Sequence, residues 1–145
     1  MLICQIEFAT PEYDEAVALR YEVLRRPLGL LYTPEQLAGE WDNIHIAAFN
    51  TAGRIVGYLN LTIVNVEEVK MRQVAVAPAD QGKGIGIAMV AYSEDLAKAL
   101  NFKEITLHAR KTAVAFYLRQ GYDMLGDAFE EVSLPHFKMK KAIGS

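Results

Sequence analysis

The stretch Val74-Ala75-Val76-Ala77-Pro78-Ala79-Asp80-Gln81-Gly82-Lys83-Gly84-Ile85-Gly86 constrains the fold of this chain more than any other. An apolar run stopping at Pro78 reads as a buried strand. The glycines after it open a helix over Gly84 to Leu100, with Ile85, Met89, Tyr92, Leu96 and Ala99 along one face at helical spacing. The first amides of a helix have no internal partners and lie at its positive end. Glycines there let phosphate oxygens approach them, so the turn is a cradle for an anion.

The flanking sequence supplies further elements. Leu2, Cys4, Ile6 and Phe8 alternate with polar residues as in a half-buried strand. Thr10-Pro11 is a helix start, with Thr as cap and Pro at the first helical position, for a helix running to about Arg25. Thr33-Pro34 opens a short helix over 35–40. His45 to Phe49 and Arg54 to Val64 form a hairpin around Thr51-Ala52-Gly53, and Val69 to Ala77 is the strand before the Gly-rich turn. Lys103 to His108 is a strand and Thr112 to Gln120 a helix closed by Gly121; Tyr122 to Leu125 and His136 to Lys140 are two last strands. The order β-α-α-β-β-β-α-β-α-β-β makes a mixed α/β domain.

With 145 residues the chain fits one domain, 1–145, and buries roughly 70% of its unfolded surface without help from disulfides or metals. No run approaches the ~18 apolar residues of a membrane span, and the first ten residues lack the basic start and cleavage-like site of a signal peptide. Cys4 is the only cysteine, which fits a reducing compartment, and the expected location is cytoplasmic. A net charge of −3 argues against a nucleic-acid partner. Two histidine candidates and a cysteine without ligand spacing make no metal site. A homodimer stays open, since nothing in the sequence specifies an oligomeric state.

Two common anion motifs fail on the turn. A P-loop needs Ser or Thr after its lysine, and Lys83 is followed by Gly84. The dinucleotide fingerprint counted from Gly82 and Gly84 needs a third glycine where Ile87 stands. What matches is Gln-x-x-Gly-x-Gly, from Gln81 to Gly86. Here the sequence resembles the GNAT superfamily of N-acetyltransferases. That resemblance implies that Gln81, Gly82, Lys83, Gly84, Ile85 and Gly86 hold the pyrophosphate of acetyl-CoA, the acyl donor, through backbone amides. It also implies a GNAT-like fold, a mixed central sheet with splayed parallel strands flanked by helices.

The strand before the turn carries a second sign. Val69 and Met71 are apolar at odd positions, whereas after Gln73 the bulky residues Val74 and Val76 fall at even ones. A one-residue slip in a period-2 pattern is what a β-bulge produces; burial of the strand on both faces after Gln73 explains it equally well. The resemblance implies a bulge, with the backbone of Val74, Ala75 and Val76 binding the pantetheine arm. Further on, Ala113-x-x-Phe116-Tyr117-x-x-x-Gly121-Tyr122 is similar to a second block of the family. By that similarity Tyr117 protonates the leaving thiolate, a role suited to a phenol, protonated at neutral pH with a pKa near ~10. The alternative for Tyr117 is a core tyrosine with a satisfied hydroxyl. One departure is Arg110, where the family often has Asn.

Leu19-Arg20-Tyr21-Glu22-Val23-Leu24 and Ser133-Leu134-Pro135-His136-Phe137-Lys138-Met139 resemble the ElaA-like branch of the superfamily. Arg20 lies on the apolar face of the first helix, so it lines an acceptor site or orients a carboxylate, forms an internal ion pair, or packs its stem while its head reaches water. An acceptor amine must lose a proton before or as it attacks, and Glu40, Asp42, Glu67, Glu68, His108 and His136 are the candidate bases. Arg20, His108 and His136 are the candidate substrate residues.

These observations predict an acetyl-CoA-dependent N-acyltransferase that moves the acetyl group directly to a primary amine of a small molecule. Backbone amides, Val76 among them, steady the carbonyl oxygen. Two other classes share the same features: a non-catalytic acetyl-CoA-binding sensor or scaffold, and a nucleotide-binding regulator using the same cradle.

Overall fold

The computed structural model describes Met1 to Gly144. Seven strands, β1 (Leu2–Ile6), β2 (Ile44–Phe49), β3 (Ile55–Ile63), β4 (Glu68–Val76), β5 (Glu104–Arg110), β6 (Asp123–Glu131) and β7 (Leu134–Ala142), hydrogen-bond in the order β1-β2-β3-β4-β5-β7-β6. The helices are α1 (Pro11–Arg20), α2 (Pro34–Ala38), α3 (Ile85–Ala99) and α4 (Val114–Arg119). No helix among the described residues is long and apolar enough to cross a membrane. Contacts group the chain into two compact units, one of Met1–Thr62 with Gln73–Ser93 and one of Ile63–Arg72 with Glu94–Ser145.

In the first unit, local signals start each helix. Thr10 Oγ1 accepts from the Tyr13 amide and Pro11 opens α1. The helix then continues as a π-helical turn over Tyr21–Arg25 and a 3-10 turn over Arg26–Leu28, which Gly29 ends in the left-handed region. Thr33 and Gln36 cap α2 reciprocally, so two orphan amides are satisfied at once. The β2–β3 hairpin turns at Asn50, whose side-chain oxygen accepts from the amides of Ala52 and Arg54. Ala16, Ala47, Ile55 and Tyr58 form a buried cluster, with Ile6, Leu19 and Phe49 packed on it.

Gly57 sets how closely α3 sits on β3. A Cβ there would meet Met89 Sδ at 2.8 Å and Ile85 Cγ2 at 3.0 Å, both on α3. An added methyl would have to be met by a shift of the Met89 side-chain end and of Ile85, and a bulkier residue would press on the helix itself, at a cost of about 1–3 kcal/mol. Because α3 begins one residue after Gly84, Gly57 also places the Gly-rich turn. The buried residues of α3 are Ile85, Met89, Val90, Ser93 and Ala97; Ala99, expected on the apolar face, is exposed. The stripe is centred nearer Ser93, whose hydroxyl is spent inside the helix on the Val90 carbonyl.

In the second unit, β4 and β5 run parallel, pairing Glu68–Met71 with Glu104–Leu107. β7 pairs antiparallel with β5 along its whole length and with β6 on its other side. The β6–β7 hairpin is longer than its sequence suggests. Its tip is Val132-Ser133, both with positive φ (46° and 63°), a turn normally signalled by Asn or Gly. Gly126, at φ 70°, lies in a register shift between Leu125 and Phe129. Beyond that shift Phe129 pairs with His136 and Glu131 with Leu134.

Candidate active site

The turn after β4 has the form its sequence predicts. Pro78–Asp80 make one 3-10 turn, Gln81 is extended, and α3 starts at Ile85. The first helical hydrogen bond runs from the Ala88 amide to the Gly84 carbonyl, 3.0 Å, so the amides of Ile85, Gly86 and Ile87 have no helical acceptor. Gly82 and Gly84 have φ of +78° and +82°, and a Cβ on either would meet nothing within 4 Å. Their glycine requirement is therefore conformational, and the space above the amides is open. The Gln81 side chain donates to the Val76 carbonyl at 3.1 Å and ties the turn to the end of β4. Lys83 makes an exposed contact of 3.3 Å with Asp80. The free amides, open space and positive helix end suit a pyrophosphate.

β4 changes character at Gln73. The ladder with β5 has its last rung at Met71–Leu107, and Gln73 is left-handed at φ 58° in the midst of an extended strand. The backbone therefore breaks at the residue where the sequence pattern slips. The burial pattern does not slip with it: Val69, Met71 and Ala75 are buried, while Val74 and Val76 are half-buried. Val74, Ala75 and Val76 lie past the break, beyond the last rung of the ladder.

Tyr117 is on α4, 7% exposed, its ring edge-on to Phe116 at 5.0 Å and Tyr122 at 5.7 Å. Its hydroxyl has no hydrogen-bond partner among the described residues, and neither does that of its buried neighbour Tyr122. Burial pushes its pKa up to about 12, so the phenol keeps its proton throughout the neutral range.

His108 and His136 are brought together by a residue that sequence reading passed over. Glu131, near the tip of the β6–β7 hairpin, places Oε1 3.1 Å from His108 Nδ1 and Oε2 3.5 Å from His136 Nε2. His136 is 4% exposed and its Nδ1 donates to the Leu134 carbonyl at 2.9 Å. Phe129 packs edge-on against His108 at 4.8 Å, and Lys70 Nζ lies 3.2 Å from His108 Nδ1. Burial pushes the Glu131 carboxyl up, but its partners, the His108 hydrogen bond first among them, outweigh it and hold Glu131 below the usual carboxylate range. Lys70 is drawn down, first by burial and then by Arg72. The hairpin turn carries no Gly, Asn or Asp, so the sequence held no signal that would have placed Glu131 opposite His136.

Arg20 is fully buried, and its two terminal nitrogens bond both oxygens of Glu40 at 2.8 and 2.7 Å. This is the internal ion pair, one of the roles the sequence leaves open to Arg20. Glu40 also accepts from the Tyr13 hydroxyl at 2.7 Å, and its backbone carbonyl accepts from His45 Nε2 at 2.9 Å. Arg20 further lies over the rings of Tyr32 and Tyr58, 4.8 and 5.1 Å from their centroids. The other candidate acids have local roles or none: Glu68 accepts from Thr106 Oγ1 at 2.8 Å, and Glu67 and Asp42 are exposed.

A mixed seven-stranded sheet flanked by helices, with an amide cradle at the end of its central strand, defines an acyl-CoA N-acyltransferase fold. Residues 19–143 match the sequence profile of the Acetyltransferase (GNAT) domain, and the chain belongs to that family. Its members are enzymes that take acetyl-CoA as donor. Solved structures agree on the fold. An acyl-CoA N-acyltransferase from Pseudomonas aeruginosa superposes with a TM-score of 0.83 at 23% identity, over 97% of this chain and 99% of that one. Escherichia coli ElaA gives 0.83 at 20% identity over the same shares. An aminoglycoside 6'-N-acetyltransferase complexed with coenzyme A gives 0.79 at 18% identity, over 99% of this chain and 97% of that one.

Proposed function

We propose that this enzyme transfers the acetyl group directly to a primary amine of a small molecule, with Tyr117 as the acid that protonates the departing sulfur. The observation that carries the reading is Tyr117: a buried ring whose hydroxyl keeps its proton and has no hydrogen-bond partner among the described residues, which leaves that proton available to a bound sulfur.

The donor supplies an activated thioester when bound. The amides of Ile85, Gly86 and Ile87 hold its pyrophosphate, with Gln81, Gly82, Lys83 and Gly84 shaping the turn. The backbone of Val74, Ala75 and Val76 binds the pantetheine arm, and the Val76 amide faces the carbonyl oxygen. Tyr117 holds a proton at Oη for the sulfur. Arg20 supports the site through Glu40 without touching the acceptor, and His108 and His136 belong to the acceptor side. The protein acts in the cytoplasm, and a homodimer is compatible with the reading.

A panel of amines tests it: an aminoglycoside, a polyamine, amino acids, and a peptide with a free N-terminus, each with acetyl-CoA and the release of free thiol followed. Saturable turnover of a small primary amine supports the reading. Turnover confined to the peptide would move the acceptor class to protein termini.

A further inference from the structure

We propose that His108 is the base that takes the proton from the acceptor nitrogen, and that Glu131 is the positioning residue that holds its imidazole in the tautomer this needs. The inference rests on the amine-acceptor reading above.

The tautomer follows from counting donors. Both Glu131 oxygens can only accept when ionised. His136 offers Glu131 its Nε2 at 3.5 Å, but its Nδ1 faces the Leu134 carbonyl, which also only accepts. His136 therefore keeps its one neutral-state proton on Nδ1 and has none for Glu131. The donor left to the carboxylate is His108 Nδ1–H, at 3.1 Å. With Nδ1 protonated, the lone pair of His108 is on Nε2, which has no partner among the described residues. An oriented neutral imidazole with its far nitrogen bare is what a general base requires.

Lys70 competes for the same nitrogen. Its ammonium, 3.2 Å from Nδ1, can only donate, and a bond to a bare Nδ1 would force the proton onto Nε2 and end the basic role. Two things weigh against that arrangement. Glu131 would lose its nearest donor, and Glu131, held below the usual carboxylate range, is the stronger claimant on that proton. The charged and titratable groups around the pair are Glu68, Lys70 and Arg72 from β4, Glu131 from β6, and His136 and Lys138 from β7.

The proton balance closes. For each acetyl group moved, one C–N bond forms and one C–S bond breaks. The nitrogen's proton goes to Nε2 of His108, and the sulfur receives one from Tyr117. Both residues are restored when the imidazolium's proton returns through water to the phenolate.

Two measurements test the proposal. In the 15N spectrum of the ring nitrogens of the free protein, assigned with His108→Gln, His108 is expected to be protonated at Nδ1 and bare at Nε2. Glu131→Ala should transfer population to the other tautomer; a wild-type spectrum with the proton on Nε2 overturns the proposal. In turnover with the best amine, His108→Gln should lower kcat about 100-fold while acetyl-CoA affinity stays within about threefold. Glu131→Ala should lower kcat about tenfold or more, and Glu131→Asp should restore most of it. A His108→Gln enzyme within about threefold of wild-type kcat overturns the role of base. Failure of the amine reading has its own signature, a wild-type enzyme that acetylates only hydroxyls or thiols, and the tautomer measurement is independent of it.

Discussion

The Tyr32 hydroxyl donates to the side-chain oxygen of Gln73, the residue at which β4 turns left-handed. Tyr32 itself packs against two guanidinium groups, Arg20 at 4.8 Å and Arg25 at 4.5 Å from its ring centroid. The break in β4 is thus fastened to the segment between α1 and α2.

That link predicts a coupled pair. A left-handed non-Gly residue costs about 1–2 kcal/mol, and the hydrogen bond returns about 1. Tyr32→Phe should therefore destabilise by about 1 kcal/mol. Gln73→Gly should be close to neutral, because relief of the backbone offsets the lost bond. The double variant should be more stable than Tyr32→Phe alone by about 1 kcal/mol, because the bond is already lost and only the backbone relief remains, with urea unfolding as the measurement. Destabilisation equal to Tyr32→Phe plus the loss of an independent bond at Gln73 would show that the two residues do not act together.

Gly84 and Gly53 separate conformation from function. Both are left-handed, +82° and +79°, and both would place a Cβ in open space. Alanine at either should cost about 1 kcal/mol or somewhat more. Only Gly84→Ala should weaken acetyl-CoA binding, by roughly tenfold or more in calorimetric titration, because only Gly84 leads into the free amides of α3, and a residue that resists its positive φ would displace them. Equal affinities for the two variants would remove Gly84 from the cradle.

The buried network around Glu40 predicts two acid-sensitive ranges. Burial holds His45 below the ordinary histidine range. Its Nε2 donates to the Glu40 carbonyl and its Nδ1 accepts from the Tyr58 hydroxyl at 2.6 Å, so the neutral ring is fully bonded. On acidification the unfolded chain takes a proton on this residue near pH ~6.5 that the folded chain refuses, so stability falls as pH drops through that value. For Glu40, burial pushes upward but Arg20, with help from Tyr13 and His45, brings the carboxyl below its usual range. Its contribution is present above the unfolded carboxylate value of ~4.3 and is lost as pH falls through the lower folded value. Urea midpoints should fall in both ranges. His45→Gln should flatten the upper one relative to wild type and leave the lower, while Glu40→Ala should cost about 3–5 kcal/mol at neutral pH by stranding Arg20.

How much of this could be read beforehand depends on whether the information was local. The Gly82–Gly84 turn, the caps at Thr10 and Thr33 and the block around Tyr117 are contiguous in sequence, and each appears where its residues place it. The Arg20–Glu40 pair was half legible. A charge on an apolar helix face demands a partner, but 20 residues separate it from Glu40 and nothing in the pattern selects that acid over its neighbours. Glu131 was not legible at all. Its place depends on a turn built from Val132 and Ser133 in a conformation those residues rarely adopt, and on a register shift at Gly126. Gly57 was missed for a related reason: its role is the closeness of Met89, a property of packing between elements.

Tyr117 gives the most direct test of the chemistry. Its hydroxyl makes no protein hydrogen bond, so Tyr117→Phe removes no folded-state interaction and should change stability by no more than about 0.5 kcal/mol. Acetyl-CoA affinity should stay within about twofold, while kcat should fall about 100-fold or more, the usual contribution of a positioned proton donor. Because burial pushes the phenol up to about 12, its ionisation should produce no alkaline decline in wild-type turnover between about pH 7 and 10. A phenylalanine enzyme with unchanged kcat would hand the protonation of the sulfur to water or to another residue. One with lost affinity and unchanged kcat would make Tyr117 a wall of the donor site.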